Sequence, residues 1–145
     1  MKNYHLKVSI MGIPKLYRVI EISENCTFET LHEAIFIAFE RYDPHMYSFY
    51  ITKSDTKSTE TIFKAPKITE PMAAKENMGD EQSSAEVIIG SVGLKEKDII
   101  HYLFDFGDSW WHRIRVEKIT EGNGTTPKAE VNEAVGDAPP QYPDD

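Results

Sequence analysis

Residues 99–119 read IIHYLFDFGDSWWHRIRVEKI, a run that holds both tryptophans and two of the five histidines of the chain. Ile99, Ile100, Tyr102, Leu103, Phe104 and Phe106 are the β-branched, aromatic and aliphatic residues that strands favour. Gly107, Asp108 and Ser109 supply turn chemistry, with the glycine expected at positive φ. Alternation resumes at Trp110, so the stretch predicts a β-hairpin in the middle of a sheet. Alternation puts Trp110, His112, Ile114 and Val116 on one face and Trp111, Arg113, Arg115 and Glu117 on the other. The first set is the core set. Trp110 is therefore expected to be mostly buried and Trp111 substantially more exposed.

Outward from this hairpin the pattern stays β-rich. Tyr4, Leu6, Val8 and Ile10 alternate with His5, Lys7 and Ser9, the period of a half-buried strand. Gly12, Ile13 and Pro14 make a turn, and Leu16, Arg18, Ile20 and Ile22 share the next apolar parity, completing an N-terminal hairpin. Arg18 stands out in that row; it is expected to lay its stem on the core and keep its head in water. Thr27 is a candidate N-cap for a helix in which Phe28, Leu31, Ala34, Ile35, Ala38 and Phe39 recur at helical spacing, to about Arg41. Asp43 and Pro44 end it, and HMYSFYITKS at 45–54 reads as a third strand. From about 53 to 84 the chain becomes a polar insertion broken by Pro66 and Pro71, with one short strand expected at 61–64 and the greatest protease sensitivity at 57–83. Residues 121–145 are expected to be a loose, acidic, proline-rich tail.

A length of 145 residues suits one domain spanning 1–145. The formal net charge of −8 opposes bulk phosphate binding, so non-specific nucleic acid is not an expected partner. A single cysteine, Cys26, excludes an intramolecular disulfide and a Cys-based zinc site. With no membrane-length apolar run and no signal-peptide pattern, a cytoplasmic protein that does not engage membranes is expected. N-x-T matches at Asn25 and Asn123 are then chance.

The chemistry-bearing residues gather around the hairpin turn. A carboxylate beside a histidine fixes its tautomer and raises its basicity, which makes Asp105, Asp108 and His112 the candidate catalytic set. The candidate binding surface comprises Arg18, His32, His45, Asp105, Asp108, Trp110 and His112. Each also has a structural reading: aspartates bond turn N–H groups, and an Asp–His pair can satisfy itself at a core edge. His32, His45 and His112 could meet at a metal, but no HExxH or Cys–His spacing supports one, and metal and cofactor stay unassigned. Asp105-Phe106-Gly107 spells a kinase triplet without the glycine-rich and catalytic loops that give it meaning.

Tyr102-Leu103-Phe104-Asp105-Phe106-Gly107-Asp108-Ser109-Trp110-Trp111-His112 resembles the Y-x-Y-D-F-G-D-x-W-x-H signature of the plasmid ORF-three-like family, first named from a root-inducing plasmid of plant-associated bacteria. Other members are described as passengers of insertion elements. Pro14, Tyr17 and Arg18 resemble the family's proline and W-R pair, Leu31-His32 its L-H, and His45 to Phe49 its H-L-x-x-F segment. Tyr17 replaces the usual Trp and Phe104 the second Tyr. The segment from Gly136 to Pro140 is similar to the family's G-E-x-x-C-P-P-E-D, from which Gln141 and Tyr142 depart. The family's usual continuation, a glycine pair and a helix, is expected to be absent or shortened. The resemblance implies no established activity, and the resolvase label that some members carry is not expected to apply, since no recombinase motif is present.

The expected fold class is α+β: a mixed, mostly antiparallel sheet with a main helix packed on one face, in an order compatible with a β-grasp. The expected function is that of a plasmid- or mobile-element-associated, non-enzymatic module binding a protein or small ligand near the 105–112 turn. The alternative is a small metal-assisted or acid/base hydrolase using Asp105, Asp108 and His112. A nucleic-acid accessory protein working through Arg18, Arg113 and Arg115 comes third.

Overall fold

The alternating N-terminal residues form β1 (Lys2–Ile10) and β2 (Ile13–Ser23), antiparallel, with Tyr4 opposite Ile22 and Val8 opposite Arg18. Gly12, at φ 93, makes the tight reversal between them, a conformation that costs glycine little. In this computed structural model residues 1–76, 82–122, 124 and 126–142 are described. The central stretch forms β6 (Ile99–Phe104) and β7 (Trp110–Glu121), with Tyr102 opposite His112 and Leu103 opposite Trp111. β7 also pairs antiparallel with β1, which places the hairpin inside the sheet as expected.

Thr27 caps α1 (Phe28–Ala38): its Oγ1 accepts from the Thr30 N–H at 3.2 Å, satisfying a donor that the first turn leaves free. β3 (Tyr47–Tyr50) pairs with β6. The insertion is more ordered than its composition implies. Its described part holds α2 (Thr59–Phe63), β4 (Lys67–Thr69), α3 (Pro71–Glu76) and β5 (Gln82–Ser83). Of residues 61–64, expected as a strand, 61–63 are helical and Lys64 is the C-cap, because Ser58 Oγ caps the Thr61 N–H and Lys64 pairs with Glu60 one turn back. The tail is likewise corrected: β8 (Ala129–Val135) pairs antiparallel with β2, and Gln141 is buried. The expectations for 77–81, for Asn123 and for 143–145 lie outside the described residues.

One sheet results, in the order β5-β4-β3-β6-β7-β1-β2-β8, antiparallel except for β4–β5 at one rim. β1 is flanked on both sides by antiparallel neighbours, so the order is not that of a β-grasp. The chain is mostly sheet, α+β in the broad sense, with a small helical part. The pleat decides what each face carries. Leu6, Val8, Ile20, Phe49, Tyr102, Phe104, Ile114 and Val116 gather with Phe28, Leu31 and Ile35 of α1 in the main core. The opposite parity of β3 and β6 gives Tyr50 and Leu103, which pack with Ile62 of α2 and with Trp111.

Candidate functional site

The turn after β6 is built by Asp105 rather than by its glycine. Asp105 and Ser109 take φ of 65° and 55°, left-handed values that aspartate tolerates, while Gly107 is not at positive φ. Asp105 Oδ1 accepts from the N–H groups of Gly107 at 3.1 Å and Asp108 at 3.2 Å, an Asx turn. Its own N–H donates to the Met46 carbonyl at 2.9 Å. Asp105 is buried, and its second oxygen sits 3.5 Å from His45 Nε2.

His45 is thus the histidine that Asp105 meets. Tyr142 donates to Asp43 Oδ2 at 2.5 Å, so His45 Nε2–H donates to the Tyr142 oxygen at 2.9 Å. The Asp43 hydrogen bond, with burial, raises the Tyr142 phenol above its ordinary pKa. Asp43, His45, Asp105 and Tyr142 form a knot that joins the segment before β3, the hairpin turn and the tail. Gln141 tightens it: Oε1 accepts from the N–H groups of Tyr42 and Asp43, and Nε2 donates to the Asp43 carbonyl.

His32, on α1, stacks face to face on Tyr47 with centroids 3.6 Å apart. Its Nδ1 lies 2.6 Å from the Tyr102 hydroxyl. Tyr102 is fully buried, and donating to Nδ1 uses its proton; His32 then carries its own proton on Nε2. Burial pushes the His32 pKa down to about 4, so the ring is neutral at pH 7. His32 and His45 line one cleft of about 540 Å³, together with Tyr47, Met46, Met72 and the carboxylates of Glu29, Glu33 and Glu70. Burial first, and then those three carboxylates against a Ser84 hydrogen bond, leave the Tyr47 phenol at about 12. Glu70 also caps α3 through the N–H groups of Met72 and Ala73. Glu29 and Glu33 hold no ion pair among the described residues.

The other sequence candidates go elsewhere. His112 is buried between Tyr102 and Phe39, and its Nδ1 donates to the Trp110 carbonyl of its own strand at 2.9 Å. It bonds neither aspartate, because the pleat turns it into the core while the left-handed Asp105 turns its carboxylate toward β3. Burial brings its pKa down to about 4. Asp108 is exposed at the turn tip. Arg18 is buried rather than wetted at its head: Nε donates to the Ala38 carbonyl at the end of α1, and Nη1 to the carbonyls of Tyr17 and Val135. Trp110 and Trp111 do take opposite faces, but both are half-buried, since Trp111 packs on Tyr50 and on Phe63 of α2. Arg113 makes a two-pronged pair with Asp55, and Arg115 is paired with Glu117, which blunts the nucleic-acid reading. His32, His45 and His112 do not meet, and no cluster among the described residues has the groups to hold a metal.

Sequence reasoning missed Arg41. It is buried, its guanidinium lies 4.6 Å over the Trp110 ring, and Nη1 donates to the Pro139 carbonyl at 2.7 Å. Nε and Nη2, like Trp110 Nε1, find no partner among the described residues. A lone arginine at a helix end gives no sequence signal for this, and Gln141 and Tyr142, noted only as departures from the family pattern, lay in a tail expected to be loose.

Fold and site define an α+β protein on a single mixed sheet, with a histidine-lined, carboxylate-rimmed cleft beside an Asp-Phe-Gly-Asp turn. The family model described as plasmid pRiA4b ORF-3-like protein matches residues 2–142, and the chain belongs to that family. The crystal structure of a protein of unknown function, MM3350 from Methanosarcina mazei Go1, is similar, with a TM-score of 0.70 and 29% identity over 97% of this chain and 72% of that one. Among curated proteins the sequence has no match. No helix among the described residues is long and apolar enough to cross a membrane.

Proposed function

We propose that this protein is a non-enzymatic binding module, and that its cleft takes a basic peptide segment of a partner protein. The observation that carries this is the convergence of His32 and His45 with Glu29 and Glu33 on one cleft walled by Tyr47, Met46 and Met72. Neutral His32 offers an Nε2–H donor suited to a peptide carbonyl, and the unpaired glutamates suit a lysine or arginine head. Methionines give an adaptable apolar wall for its stem. A chain with a formal charge of −8 adds long-range attraction for such a partner. The hydrolase reading lacks support, because Asp105 is spent on its turn and on His45, and His112 is enclosed in the core. In a plasmid- or mobile-element-associated setting the role would be that of an accessory that recruits or holds a protein.

Calorimetric titration with a short lysine- and arginine-containing peptide, against the same peptide with norleucine at the basic positions, tests this. The double variant Glu29→Gln, Glu33→Gln is expected to weaken binding about fivefold to tenfold, as loss of two partly screened charge contacts does. Equal binding of the norleucine peptide, or an unaffected double variant, would overturn the proposal.

A further inference from the structure

The opposite face of the sheet carries a second cavity, of about 480 Å³, between the β1–β2 turn and the loop 53–57. Its charge runs against that of the chain: Lys7, Lys57 and Arg113 line it with a single carboxylate, Asp55. Asp55 engages only Nε and Nη2 of Arg113. Lys7 rests on the Tyr17 ring at 4.3 Å, and neither lysine has a carboxylate partner among the described residues. His101 also lines the cavity and is 0% exposed. Its Nδ1 lies 2.8 Å from Thr52 Oγ1, whose proton goes to the Ile99 carbonyl. Its Nε2 is buried and closes no hydrogen bond of good geometry among the described residues: the Thr56 backbone comes near enough to raise the ring's pKa but not to complete that bond. A buried ring nitrogen left unbonded beside a cationic cavity is costly unless something else occupies the space.

We infer that this cavity is an anion site for a phosphate monoester or inorganic phosphate, held by Lys7, Lys57 and Arg113 and sharing a proton with His101. In the bound state His101 donates from both nitrogens, Nδ1–H to Thr52 and Nε2–H to a phosphate oxygen. A monoester or inorganic phosphate titrates near neutrality and can supply that proton, whereas a diester has none to give. The site therefore discriminates against a nucleic-acid backbone. Burial, partly offset by the Thr56 backbone and Asp55 and reinforced by Arg113, lowers the imidazole pKa, so a phosphate that delivers a proton would change its charge. This site lies across the sheet from the peptide cleft and stands independently of it.

The test is an NMR titration of the full chain, reading the His101 ring nitrogens, with inorganic phosphate, methyl phosphate and dimethyl phosphate. Inorganic phosphate and methyl phosphate should move His101 to its charged form and raise its pKa, with dimethyl phosphate at least about tenfold weaker, the loss expected for one charge-assisted hydrogen bond. Lys57→Ala, at an exposed loop position, should weaken phosphate binding about threefold to tenfold with an unchanged melting temperature. His101→Gln should remove the preference for monoester over diester, and the Lys57 variant keeps the test decisive if His101→Gln fails to fold. No His101 response to phosphate, equal binding of the diester, or phosphate binding unaltered by Lys57→Ala would each overturn the inference.

Discussion

The two faces of the sheet handle polar groups in opposite ways. On the face shared with α1, the main core encloses His112, Tyr102, Arg18 and Arg41, and most of their bonds run to carbonyls, to one another or to aromatic rings. On the other face Tyr50, Leu103, Ile62, Ala65 and Trp111 make a small cluster with α2, and beyond it Lys7 and Arg113 border open space. Enclosed polar groups fix geometry, because leaving one unpaired in low dielectric is costly. Polar groups at the margin of a partial cover remain able to bind. Function is therefore sought beside open space, at the His32–His45 cleft and at the His101 cavity, rather than at His112, whose Nδ1 is closed on the Trp110 carbonyl within the core.

The sharpest way to break this contrast is acid. His32 and His112 are held neutral in the fold, each near pKa 4, while the unfolded chain charges them near 6.5. Between those values the unfolded state binds more protons, so stability is full above pH 6.5 and falls as the pH drops toward 4, by roughly 3 kcal/mol per imidazole over the window. Denaturant melts at pH 7 and pH 5 should show the loss, and His112→Gln should flatten it; equal slopes in parent and variant would mean that the enclosed histidine is not responsible.

Next in size is Phe28→Ala in the main core, which should cost about 3–5 kcal/mol, against about 2–3 kcal/mol for Trp111→Ala on the half-covered face. Urea midpoints for the two variants in the reverse order would invert the assignment of the faces. Smaller again is Gln141→Ala, which orphans the N–H groups of Tyr42 and Asp43 and should cost about 1–3 kcal/mol. A melting temperature equal to the parent's would show that the tail knot adds nothing. Least is Asp55→Ala, which removes a surface pair and should change stability by about 1 kcal/mol or less.

Strands β1, β2, β6 and β7 and helix α1 were legible because each has one face in the main core, so burial writes its period into the sequence. β8 was not, since Glu130, Val131, Asn132 and Glu133 are all exposed and no parity needs to be apolar. α2 was hidden by its length: five residues, of which Ile62 alone is buried, leave capping by Ser58 as the main signal. Of the site, His32, His45 and Asp105 could be named from sequence, but Asp105 was paired with the wrong histidine. Nearness along the chain favoured His112, whereas the left-handed turn and the pleat send the two side chains to different places.

The rims of the sheet bear on how readily the molecule could join its own copies. An open sheet invites another chain to add a strand at each end, the route by which β proteins polymerise. One rim, β5, is two residues long and offers little template. The other, β8, is seven residues and open, but it places Glu130 and Glu133 along the surface that an incoming copy would have to join. Glu130 is met by Lys128 at 3.2 Å, which leaves Glu133 as the charge that would oppose a second copy joining at this strand.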